Sequence, residues 1–242
     1  MTIADTGSRP PNSGATAAPV TDAAPSTDPQ ALAETLDRFA AAFTALAALL
    51  GAAPSAVELA RVRDADLLRD WPLAEDPDCA RGAALLLESA RLGEDETQVR
   101  RDYNRLFYGP GPMIAPPYES VHRSDEHLVF DHETLQVRAA YASFGLAAPR
   151  LHKEPDDHLA LELGFLGTLC VRAMDAVDAR DDAELARLVA GIQDFLAEHL
   201  LTWGPGCLEQ AAAGAQTRFY AGVAALGAGT LTRAGAAFLP QP

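Results

Sequence analysis

Basic residues are scarce. Only 19 Lys and Arg stand against 34 Asp and Glu, and Lys153 is the one lysine in 242 residues. The net charge of −15 argues against nucleic acid as a partner, because that affinity comes from neutralising phosphates with cationic side chains. It suits a basic partner, and it also serves plain solubility. Cysteine is equally sparse. Cys79, Cys170 and Cys207 are widely spaced, odd in number and never in a C-x-x-C pattern, which excludes a disulfide framework and a cysteine zinc site. Buried, unreactive thiols in a reducing compartment are expected. No stretch approaches the ~18 uninterrupted apolar residues of a membrane helix. Runs of β-branched residues and sustained apolar–polar alternation are missing too, which removes the patterns a sheet requires.

The first 28 residues lack the basic start and apolar stretch of a secretory signal. They carry Arg9 against three Asp, with Pro10, Pro11, Pro19 and Pro25 among small residues. Such a segment buries too little surface to offset its ordering entropy, so residues 1–28 are expected to be a disordered tail and the protein cytoplasmic. Arg100-Arg101 is a twin arginine inside a helical pattern and is not an export signal.

Helical periodicity fills the remainder. Pro29 opens a helix to about Leu50, with Leu32, Leu36, Phe39, Phe43, Leu46 and Leu50 on one face and Gly51 as its stop. Short helices are expected near Ser55–Arg61 and Asp64–Asp70. Asp78 is the expected cap of a helix through Leu92, ended by Gly93. Another spans Asp95 to Tyr108 and is broken by Gly109-Pro110-Gly111-Pro112. A long connection to about Phe130 follows, and long loops in compact domains are commonly functional. Further helices are read at Glu133–Phe144 and from Pro155 to about Val177. The latter is apolar on most sides and should be the central one. Asp181 or Asp182 caps the next helix, to about Leu201. Gly204-Pro205-Gly206 is expected to break the chain before a final helical region to about Leu239. Residues 29–242 thus read as one all-α bundle of eight to ten helices.

Catalytic patterns are weak. Asp157-His158 reverses the His-Asp order of metal phosphohydrolases, and His122, His127 and His132 recur every five residues, which aligns on neither helix nor strand. No G-x-S-x-G occurs, and Gly109-x-Gly111 has no P-loop lysine. Neither a metal, a cofactor nor enzyme chemistry is expected.

Two segments stand out. Pro116-Pro117-Tyr118 fixes its backbone φ angles and so holds an aromatic ring at low entropic cost, as peptide-binding surfaces do. Glu154-Pro155-Asp156-Asp157-His158 reads as ordinary helix capping, which accounts for Pro155 and Asp156. It reads equally as the border of a pocket, because Glu154, Asp157 and His158 gather at the start of the most apolar helix. Between Glu119 and Glu184 there are 14 acidic and 6 basic residues, a local net of −8, about half the total excess.

These motifs, in this order, resemble the TorD/DmsD family. Its helix-ending Leu-Phe, its Pro-aromatic-x-Ser loop and its Glu-Pro-x-Asp-His helix start read here as Leu106-Phe107, Pro117-Tyr118-Glu119-Ser120 and Glu154 to His158. Tyr141…Gly145, Trp203 and Phe219-Tyr220 extend the likeness from about Ala31 to Leu226. Tyr118 stands where some members carry Trp. The resemblance implies an all-helical cytoplasmic chaperone, monomeric or a swapped dimer. Its partner would be the twin-arginine signal peptide, and the body, of a molybdoenzyme catalytic-subunit precursor, held until the molybdenum cofactor is inserted. A transient contact with the export translocase would follow. The implied peptide groove comprises Leu106, Phe107, Pro117, Tyr118, Ser120, Glu154, Asp157 and His158. A nitrate-reductase-delta-like assembly chaperone of a non-exported molybdoenzyme is the alternative.

Overall fold

The computed structural model describes residues 29–123, 132–148 and 155–240; the expected tail and Glu154 lie outside these. Among the described residues the architecture is all-α, as the periodicity implies. The helices are α1 Pro29–Gly51, α2 Ala56–Val62, α3 Ala65–Arg69, α4 Pro77–Leu92, α5 Glu96–Tyr103, α6 Glu119–Arg123, α7 His132–Ser143, α8 Leu159–Ala179, α9 Asp182–Phe195, α10 Leu201–Gly214 and α11 Arg218–Phe238. Wide π-type turns extend α5 over Asn104–Tyr108 and join α9 to α10 over Leu196–Leu200.

Local chemistry explains most boundaries. Ser55 and Glu58 form a reciprocal capping box, as do Asp95 and Gln98, satisfying donors at the helix starts. Gly93 ends α4 in the left-handed region at φ 68°, where a side chain would be strained. Asp76, not Asp78, caps α4: its carboxylate accepts from Asp78 N (2.9 Å) and Cys79 N (3.1 Å), and Pro77 takes the first helical position.

Three expectations are corrected by the tertiary setting. First, the stretch read as one long loop contains the short helix α6. Second, α8 begins at Leu159 rather than Pro155, with His158 as its cap; its Nδ1 accepts from Ala160 N at 3.0 Å. Pro155, Asp156 and Asp157 precede the helix and are buried there. Third, Gly204-Pro205-Gly206 lies inside α10. Pro205 normally clashes with the carbonyl four residues earlier. That residue, Leu201, closes the wide turn with ψ −12°, off the regular helical value.

The core consists of two helix pairings bridged by α11. α1 lies along α8, α4 along α11, and α8 and α10 are covered by α9 and α11 respectively. α8 is central, as its apolar pattern requires: Leu159, Leu163, Leu166, Leu169 and Cys170 are buried. The carboxylate of Asp102 fastens the turn before α11, accepting from Gln216 N, Thr217 N and Thr217 Oγ1 at 2.7–2.9 Å. All three cysteines are free and buried, and burial pushes the thiols of Cys170 and Cys207 up to about 12. They are therefore protonated and unreactive at neutral pH.

α4 and α11 approach through glycines. A Cβ at Gly222 would lie 2.9 Å from the Gly82 carbonyl and 3.0 Å from Leu86 Cγ. Gly222→Val must therefore push two helices apart, and an unfolding titration should show a loss of roughly 1–3 kcal/mol. Unchanged stability would mean the helices are not held this closely.

Candidate functional site

The site is built by a loop returning across the bundle. Gly109, at φ 104°, adopts a backbone open to glycine, and its N–H closes the first wide turn on Asn104 O at 2.7 Å. The chain then doubles back: Ile114 N donates to Arg105 O (3.3 Å) and Ala115 N to Leu106 O (2.9 Å). Next it pairs with the start of α8. Leu159 N donates to Pro117 O (2.8 Å) and Glu119 N to Asp157 O (3.0 Å), an antiparallel bridge that sets Tyr118 opposite His158. Their rings meet edge to face, 5.2 Å between centroids at 83°. Both side chains are half-buried, so this pair reaches the surface. His158 Nδ1 accepts the cap bond, which leaves its ring proton on Nε2.

Four fully buried carboxylates lie under this pair: Glu119, Asp156, Asp157 and Glu162. Asp157 is a clamp. Its Oδ2 accepts from Ser120 N and its Oδ1 from Thr134 Oγ1, each at 2.8 Å, so one side chain holds the loop, α7 and the start of α8 together. Asp156 accepts a two-nitrogen contact from Arg138, while its carbonyl accepts from Tyr141 Oη at 3.0 Å. Glu119 pairs with Arg123, and His199 Nδ1 donates to it at 3.0 Å. Among the described residues Glu162 has no cation in contact and its Oε1 has no partner; Trp203 Nε1 donates to it at 3.2 Å. The ring of His122 leans on Trp203, 5.3 Å away, and its Nε2 donates to Pro116 O at 2.7 Å.

Desolvation, reinforced by the charges of Glu119 and Asp157, holds the Glu162 carboxyl well above the usual carboxylate range. The folded protein therefore keeps this proton to higher pH than the unfolded chain. Between the ordinary carboxylate range and the raised value the folded state binds more protons, so this group's contribution to stability falls as pH rises. Glu162→Gln removes that titration. In urea unfolding from roughly pH 5 to 8, the variant should gain on the wild type as pH rises. A constant difference between the two would show that Glu162 is ionised throughout.

The structure brings Pro117, Tyr118, Ser120, Asp157 and His158 together. Leu106 and Phe107 lie deeper, buried in the core; Phe107 meets Tyr103 at 5.6 Å and Tyr220 at 5.7 Å. They touch the site through the backbone bond from Leu106 O to the loop. Glu119, Glu162, Arg123, Arg138 and His199 went unremarked as site residues in the sequence. Glu162 left a legible signal, an acid four residues after His158 on a helix otherwise apolar at such positions. Glu119 and Arg123 stand at i,i+4 spacing, a signal legible only once that stretch is known to be helical, whereas Arg138 and His199 left none, because their partners are 18 and 80 positions away. No three His, Cys, Asp or Glu side chains among the described residues form a metal-holding group, and no described helix is long and apolar enough to cross a membrane.

An all-helical bundle that clamps a proline-aromatic loop over a buried acidic layer is the class of protein this geometry defines. The profile of the family described as nitrate reductase delta subunit matches residues 74–209, more than half of the chain, which belongs to that family and, with the relatives below, to its TorD/DmsD group. The chain is 30% identical over 142 residues to the chaperone protein TorD of Vibrio cholerae serotype O1, covering 57% of this chain and 63% of that one. It is 29% identical over 162 residues to the chaperone protein TorD of Aliivibrio fischeri, 64% and 72% of the two chains. It is 26% identical over 169 residues to the probable Tat proofreading chaperone DmsD of Haemophilus influenzae, 70% and 74%. The match to the Vibrio cholerae protein thus spans under two thirds of that relative's length.

Proposed function

We propose that this protein is a maturation chaperone for a molybdoenzyme, and that it holds the twin-arginine signal peptide of the precursor until the molybdenum cofactor is in place. The observation that carries this reading is the Tyr118–His158 pair, two half-buried rings presented on a backbone that is hydrogen-bonded on both sides. A rigid aromatic ledge of this kind anchors an apolar peptide stretch at low entropic cost. The names of the relatives, chaperones in each case, support the same reading, and the acidic balance of the chain supports a basic partner.

The family profile itself favours a second reading, assembly of a molybdoenzyme that is not exported. One experiment separates the two. The full chain, used as bait in its own cell extract, should retain a molybdoenzyme precursor with its twin-arginine leader intact, and a synthetic leader peptide should compete it away. Retention of a leaderless enzyme would favour the second reading. Retention of neither would remove both.

A further inference from the structure

The described motif carboxylates, Asp156 and Asp157, do not face a ligand. Asp156 and Asp157 are fully buried, and Asp157 spends both oxygens on Ser120 and Thr134. Glu119 is closed by Arg123 and His199. A peptide guanidinium therefore needs other acceptors, ideally surface carboxylates beside a flat apolar face on which the planar group can stack.

A cavity of about 410 Å³ between α7, α8, α9 and the second wide turn offers both. Its walls include the half-buried ring of Phe144 and the edges of the buried rings of Phe165 and Phe195, and its lining also includes Asp194 and Glu198. Both acids are exposed, and neither is ion-paired among the described residues. The cavity already seats one guanidinium: Arg187 lies over the Phe144 ring at 4.6 Å. That charge is held by Glu184 through two bonds of 2.7 Å, so it does not neutralise Asp194 or Glu198. The wide turn also separates two neighbours. His199 points inward to Glu119, while Glu198 stays exposed and its carbonyl accepts from Arg123 at 2.9 Å. Wide π-type turns recur at functional sites.

The cavity is joined to the aromatic ledge through α6. Tyr118 immediately precedes that helix and Arg123 ends it against Glu198. Five helical residues span about 7.5 Å, a distance an extended peptide covers with two or three residues. One short segment can thus lie on both features.

We propose that the cavity bounded by Phe144, Phe165, Phe195, Asp194 and Glu198 is the subsite for the arginine side chains of the bound segment, while Tyr118 and His158 receive its apolar stretch. This rests on the peptide-binding reading above and names the part of the surface that reads charge.

Calorimetry with three synthetic peptides tests it: one bearing Arg-Arg before an apolar stretch, and two with Lys-Lys or Gln-Gln at those positions. Wild-type protein should bind the Arg-Arg peptide most tightly and the Gln-Gln peptide least. Asp194→Asn/Glu198→Gln should weaken the Arg-Arg peptide about five- to ten-fold and leave the Gln-Gln peptide unchanged. Glu34→Gln/Glu209→Gln makes the same change in net charge away from the cavity, and should cost at most about two-fold. If the cavity variant still separates Arg-Arg from Gln-Gln as the wild type does, or the remote variant loses as much, the subsite is wrong; peptide binding itself then stands, provided Tyr118→Ala weakens all three peptides. If the wild type binds none of them, both the subsite and the reading it rests on fall.

Discussion

Tyr118→Ala should weaken binding of a twin-arginine leader peptide by about 2 kcal/mol, roughly thirty-fold in Kd. The ring is one of two half-buried members of an edge-to-face pair with His158, so truncation removes both the surface the peptide meets and the support that orients the imidazole. The fold should survive. The two backbone bonds that hold this segment belong to Pro117, Glu119, Asp157 and Leu159 and do not involve the ring. Calorimetry, with far-UV circular dichroism as the folding control, reads both quantities. Tyr118→Trp should retain affinity, because it keeps a large amphipathic ring on the same rigid backbone. Native affinity in Tyr118→Ala would move the peptide to another face of the bundle.

Asp157→Ala should be the most damaging single change in the site, and its first effect should be on stability. It removes two hydrogen bonds to a buried carboxyl group and leaves the Ser120 N–H and Thr134 hydroxyl buried without it. A buried donor left unsatisfied costs about 1–3 kcal/mol, so for the two together a loss of roughly 3–5 kcal/mol is expected. In a chain of this length that lowers the melting temperature by roughly 10 °C. The loss should persist at ~1 M salt, since bonds inside the protein are screened far less than exposed charges. Leader-peptide affinity should fall with it, because the loop carrying Tyr118 loses its tether to α7 and α8. A variant with wild-type stability but salt-sensitive weakening of peptide binding would show instead that Asp157 meets the peptide's arginines directly.

The distinction between these two residues could not be drawn from their motifs. Pro117-Tyr118 and Asp157-His158 both read as candidate surface. Folding puts Tyr118 and His158 on a half-buried ledge and makes Asp157 an internal clamp. The difference arises from the pairing of residues 117–119 with 157–159, a contact across about forty positions that no local pattern encodes. Glu162 shows the same thing from the other side. Its chain position announces a buried acid, but its raised pKa comes from desolvation by the whole fold and from the charges of Glu119 and Asp157 beside it.

Much was determined by the sequence alone. The all-α class, the centrality of α8, the starts at Ser55 and Asp95 and the stops at Gly51 and Gly93 follow from periodicity and from caps that act within four residues. The motifs were sufficient to indicate the family. What only the tertiary structure decided are the features whose energy comes from distant partners. Pro205 lies within a helix whose first turn follows directly on a wide turn. The chain from Glu119 to Arg123 becomes helix where Asp157 accepts the Ser120 N–H. The buried acids are tolerable because Arg123, Arg138, His199 and Trp203 converge on them from α6, α7, the second wide turn and α10. Local preference acts over a turn or two, whereas desolvating a charge is settled only by what the whole chain brings against it.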